Sequence, residues 1–150
     1  MTSPAAEDML RQLRAFLEEE LNAVGLYRDA GRDAANADAS TRLSAVARQH
    51  EAQAEELRSQ IRRIAGSEQA RLDERFGGWA NPSDVTGALV SGAAKKWSTL
   101  RERERQGLKS YREALDTLDP AAREVFLGSL IPGQFRNLCA WNDGSERPGA

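Results

Sequence analysis

Cysteine and histidine occur once each among the 150 residues, which leaves little of the usual nucleophilic or metal-binding chemistry to choose from. A lone Cys139 can form no intramolecular disulfide, so a disulfide scaffold is excluded and a reducing, cytoplasmic compartment is the expectation. Cys139 lies in the helical pattern LCAW with no histidine near it in sequence, which suits a small core residue better than a nucleophile. Aromatic residues make up only 6% and β-branched residues are sparse, whereas Ala, Leu, Glu and Arg abound; this composition favours an all-α fold over any sheet. No apolar run approaches the ~20 residues that span a bilayer, so a membrane is not an expected partner. Concentrated positive charge is also missing. The net charge is -2, with 21 basic residues interleaved among 23 acidic ones, which argues against a nucleic-acid surface. Arg14 with Glu18, Arg58 with Arg62, and Arg101 with Arg105 are i,i+4 neighbours of mixed sign and read as a solvated helix surface.

What the chain does have is helical periodicity. Its length suits a single domain over 1–150, with a core from about 8 to 142 and a disordered tail at 143–150. Ser3 and Pro4 open a first helix that runs to about Ala30, with the stripe Leu10, Leu13, Leu17, Glu20, Val24 and Tyr27. Residues 31–40 form the connection. The second helix carries Leu43, Ala47, His50, Ala54, Leu57, Ile61 and Ile64 and stops at Gly66. Gly77, Gly78 and Pro82 forbid one continuous helix between 66 and 82, a stretch long enough to travel the height of a bundle. Asn81 or Ser83 caps a third helix through Trp97, Leu100, Glu104, Leu108, Tyr111, Leu115 and Leu118. Asp119 and Pro120 open a fourth, with Leu127, Ile131, Gln134, Leu138 and Trp141 as its stripe and a kink expected at Pro132. Trp97 and Trp141 fit the core, and Trp79 suits a cover over the bundle end.

Each stripe contains one residue that breaks its apolar character: Glu20, His50, Glu104 and Gln134. An offset of 84 relates them in pairs, placing Glu20 on Glu104, Tyr27 on Tyr111, Leu43 on Leu127, Ala47 on Ile131 and His50 on Gln134. Two helical hairpins related by a pseudo-twofold would bring the four to one level of the core. Buried there, they need partners. They can hydrogen-bond one another and the two tyrosines, or they can hold a metal ion. Glu51, Glu55 and Glu56 are a lesser candidate site and read mainly as solvated.

Glu20 with Tyr27 seven residues on, and Glu104 with Tyr111 seven residues on, resemble the first and third helices of the ferritin-like superfamily. The resemblance covers roughly residues 8 to 142. More narrowly, VTGALVSGAAKKWSTL followed by RERERQGLKSYREAL is similar to a bacterial family of ferritin-like four-helix proteins of unknown function. The resemblance implies a ferritin-like four-helix bundle of two helical hairpins joined by a long crossover. In the superfamily, helices 2 and 4 each add a Glu-x-x-His motif. This chain has Ala47-Arg48-Gln49-His50 and Ile131-Pro132-Gly133-Gln134 there, so both bridging glutamates and one histidine are missing. The resulting expectation is a non-enzymatic bundle with its di-iron site lost and no cofactor. Such a protein would act as a stress-associated or protein-interaction module, with an unknown protein partner or a second copy of itself in a homodimer. The alternative is a redox or metal-handling protein with a single Fe, Mn or Zn ion on Glu20, His50, Glu104 and Gln134, backed by Tyr27 and Tyr111.

Overall fold

The computed structural model describes residues 3–66 and 93–140, the side chains of 93–97 excepted. The crossover, the third helix's cap, the tail, Trp79, Trp141 and the Trp97 side chain lie outside the described residues. Among the described residues every element is helical. No helix there is long and apolar enough to cross a membrane.

Helix α1 (Pro4–Arg32) begins at Ser3, whose hydroxyl accepts the Ala6 N–H, with Pro4 in the first turn, where its missing N–H is not needed. All six residues of its expected stripe are buried. Helix α2 (Ala37–Ala65) starts earlier than its apolar pattern suggests, because the Asn36 side chain accepts the Ala39 N–H and draws residues 37–40 into the helix. The connection expected over 31–40 therefore shrinks to residues 33–36. Gly66 ends α2 at φ 89°, a backbone conformation that suits glycine.

Helix α3 (Ala93–Ala114) gives way to a 3-10 turn (Leu115–Thr117), four residues before the expected end of the helix. Asp119 then caps α4 (Pro120–Val125) by accepting the Ala122 N–H, as its sequence signal suggests. The disturbance expected at Pro132 appears upstream, as a π-helical turn (Phe126–Leu130) in which the Ile131 N–H reaches back five residues to the Phe126 carbonyl. Helix α5 (Ile131–Cys139) follows, with Pro132 in its first turn.

That turn corrects the stripe of the fourth arm. Leu127 is 53% exposed, and Phe126 takes its place in the core at 0%. A π turn inserts one residue into the helical count, so the repeat has two offsets. The N-caps Asn36 and Asp119 and the core residues Leu43 and Phe126 are 83 apart. Val46 with Leu130 and His50 with Gln134 are 84 apart, past the insertion.

α1 packs along α2, and α3 along α5. The buried apolar side chains form two clusters. One gathers Leu13, Leu17, Leu57, Tyr111, Phe126 and Leu130; the other holds Leu26, Tyr27, Leu43, Val46, Ala47 and Leu100. Along α1 the first cluster stops at Leu17 and the second starts at Ala23; along α2 the change falls between Ala47 and Ala54. Glu20 and His50 fill those gaps.

Candidate functional site: a buried charged layer

Helical geometry explains why four helices meet at this level. Glu20 and His50 replace apolar residues on the inward faces of α1 and α2, and Glu104 and Gln134 do so on α3 and α5; all four are at most 5% exposed. The imidazole of His50 lies between the two carboxylates. Its Nδ1 is 2.6 Å from Glu20 Oε2 and its Nε2 is 2.7 Å from Glu104 Oε1.

The tyrosines cross between the hairpins. Tyr27 on α1 donates to Glu104 Oε1 on α3 at 2.6 Å, and Tyr111 on α3 donates to Glu20 Oε1 on α1. Each tyrosine follows its own helix's glutamate by seven residues yet bonds the other's, which requires α1 and α3 to run in opposite directions. The pseudo-twofold inferred from the repeat thus passes through the layer, near His50.

Two further residues complete the layer. Gln53 donates to Glu20 Oε1 at 2.9 Å and to Gln134 Oε1 at 3.1 Å, while Asn137 donates to Gln53 Oε1 at 3.2 Å. Gln134 in turn donates to Glu104 Oε2 at 2.5 Å and to the Glu104 carbonyl at 2.9 Å. Gln53 is 1% and Asn137 3% exposed. Sequence reasoning missed both, although the signal was present: they too are 84 apart, and each follows a polar layer residue by three. Gly107 makes room for this arrangement, since a Cβ there would lie 2.8 Å from Gln134 Nε2.

Every carboxylate oxygen of the layer accepts at least one hydrogen bond. Burial alone would lower the pKa of His50, but the charges of Glu20 and Glu104 and the hydrogen bonds to both outweigh it and push the pKa up to about 10. His50 is therefore an imidazolium at neutral pH, donating from both nitrogens. It also stacks on Tyr27, ring centroids 5.4 Å apart and planes within 20° of parallel. The Tyr111 phenol is held well above its usual range by burial first and then by the charge of Glu20.

The donor set can be tested against the di-iron centre that the sequence resemblance implies. Such a centre takes bridging carboxylates and an imidazole on each side. Here Glu20 and Glu104 are the layer's carboxylates, both are fully hydrogen-bonded, and a cationic ring joins them. The residues do not fit a di-metal centre. Nor do the four candidates converge on one ion, because Glu20 and Glu104 meet opposite nitrogens of one ring. Among the described residues no group of three His, Cys, Asp or Glu side chains is disposed to hold a metal ion. The lesser acidic candidates stay apart from the layer: Glu51 pairs with Arg28, and Glu55 pairs with Arg62 at 3.0 Å. Cys139 is a free thiol, half-buried instead of fully in the core.

Fold and site together define an all-α protein of four helical arms with a buried, charge-paired polar layer. The chain matches no family model, and neither a curated protein nor a solved structure matches it.

Proposed function

We propose that the chain is a ferritin-like four-helix bundle in which a proton on His50 has replaced the di-iron centre, and that it is a non-enzymatic protein acting through its folded surface as an interaction or stress-associated module. The observation that carries this reading is the contact of His50 with both glutamates from its two ring nitrogens. Two dications need carboxylates to bridge them, whereas here the positive charge between Glu20 and Glu104 is supplied by the imidazolium. A buried hydrogen-bonded ion network of this kind holds helices in one register, since any slip would strand a charge in the apolar core. Single-metal binding has less support, because an ion on either nitrogen of His50 must displace a proton held with a pKa of about 10 and would meet only one of the two glutamates.

Protein purified without chelators tests the reading. Metal analysis should find less than one transition ion per several chains, and added Fe(II) should not be oxidised faster than in buffer. Stoichiometric metal, together with consumption of oxygen or peroxide, would overturn it.

A further inference from the structure

The two hairpins are near copies inside, but their outer faces differ. On the fourth arm Leu127 is 53% and Phe135 49% exposed, and among the described residues these are the large apolar side chains left open to solvent. The equivalent positions of the first hairpin, 83 residues back before the π insertion and 84 after it, are Ser44 and Glu51, and Glu51 is paired with Arg28. A copy of the hairpin thus folds with polar residues at both places. Leu127 and Phe135 are not required by the packing of the bundle, and apolar surface kept in water without a packing role marks a contact with something else.

The charges beside this face say what fits it. Leu127, Ile131 and Phe135 share an outward face of the arm, because the extra residue of the π turn takes back most of the drift of an eight-residue step. Glu124 precedes Leu127 by three residues and Arg136 follows Phe135 directly; both are exposed, and neither side chain has a partner among the described residues. Leu127 and Phe135 are each four residues from Ile131, and Glu124 and Arg136 are each six from Leu130. The two centres are therefore one residue, ~1.5 Å, apart along the helix. If a second copy of the arm lies antiparallel on the first, with a twofold axis at this level, Leu127 meets the partner's Phe135 and Glu124 meets the partner's Arg136, and each contact is made twice. A parallel arrangement would set Glu124 against Glu124 and Arg136 against Arg136. A different protein would have to match this spacing of apolar and charged groups in its own sequence, whereas a second copy matches it by symmetry.

We propose that this face pairs two copies of the chain in a weak, antiparallel twofold dimer. The inference goes beyond the interaction role proposed above by fixing a surface and its occupant, and it does not depend on metal content. A metal-loaded chain that dimerises in this way would overturn the earlier reading and leave this one, and a metal-free chain that stays monomeric would do the reverse. One helical arm per subunit offers less than the ~800 Å² per partner of a standard interface, so the dimer should form at about 100 µM and not at about 1 µM. Sedimentation velocity of the full chain over that range at low ionic strength should show monomer passing to dimer with no larger species, since a twofold contact closes on itself. Leu127→Ser with Phe135→Glu, which copies the first hairpin, should stay monomeric throughout and keep the melting temperature measured at about 1 µM. Glu124→Arg and Arg136→Glu should each weaken the dimer ~10-fold, and the two together should restore it to within ~threefold of the wild type. A wild type still monomeric at about 300 µM, which would leave the face to another occupant, would overturn the proposal. So would a dimer indifferent to the changes at 127 and 135, growth beyond the dimer, or a double charge variant no better than either single one.

Discussion

His50 is the residue on which the interior depends. A charge at 3% exposure between two apolar clusters would cost several kcal/mol if left alone, and it is tolerated because both ring nitrogens end on carboxylates. The pH dependence follows from the direction of its shift. Its folded pKa of about 10 is above the ordinary 6.5, so the native state holds a proton that the unfolded chain gives up more easily. The stabilisation is complete below about pH 6.5, shrinks as pH rises above that, and is lost as pH passes through about 10. Urea denaturation should therefore show stability falling by a few kcal/mol between pH 7 and 10. His50→Gln offers one amide in place of two ring donors; it should cost about 3 kcal/mol at pH 7 and flatten the alkaline slope. Exposed lysines titrate alike in both proteins, so the difference between them isolates the imidazole. An equal slope in the variant would mean that His50 is neutral in the folded chain.

At the scale of elements, α1 and α2 were legible because their stripes, caps and breakers agree. Ser3 with Pro4 and Asp119 with Pro120 cap the helices their sequence signals indicate. Glu20, His50, Glu104 and Gln134 could be read as one layer because each interrupts an apolar stripe, and a polar residue in such a place needs a partner at the same height. The fourth arm was not legible in the same way. A π turn changes the count by one residue without leaving a compositional mark, so a strict helical period put Leu127 in the core where Phe126 belongs. Gln53 escaped notice because it sits beside the stripe residue Ala54 and looks like a surface amide until its 84-residue partner, Asn137, is considered. The π turn also makes a prediction. It lets Phe126 and Gln134 face the same interior, although an unbroken α-helix advances by about 100° per residue. Deleting Gly128, around which a Cβ would meet nothing, would heal the helix and turn one of those faces outward. The loss should exceed about 3 kcal/mol, since either a large aromatic leaves the core or Glu104 loses its Gln134 donors. A denaturation midpoint near that of the wild type would show that the extra residue does not set the register.

For the whole molecule, the two hairpins are near copies whose centres differ in one consequential place. The dyad pairs Glu20 with Glu104, Tyr27 with Tyr111, Gln53 with Asn137, and His50 with Gln134, so a single imidazolium serves both halves. That pairing bears on where a Glu-x-x-His motif would fall in the proposed ferritin-like reading. In both hairpins the inward residues three apart are His50 with Gln53 and Gln134 with Asn137, whereas Ala47 belongs to an apolar cluster and Ile131 packs against the other. The Glu-x-x-His positions implied by the sequence resemblance would then be 50 with 53 and 134 with 137, three residues beyond the reading that starts at Ala47. The combined changes His50→Glu, Gln53→His, Gln134→Glu and Asn137→His supply four carboxylates and two imidazoles to the layer. Without metal this variant should be much less stable than the wild type, because four buried carboxylates repel one another. Mn(II) or Fe(II) at a hundred times its dissociation constant should restore about 3 kcal/mol, seen as a rise in melting temperature, with close to two ions retained per chain after gel filtration. Ala47→Glu with Ile131→Glu and Gln134→His, built on the earlier register, should retain none. Retention by the second set and not the first would move the motif positions to 47 and 131 and overturn the register drawn from the inward pairs, while leaving the dyad, which relates 47 to 131 as it relates 50 to 134.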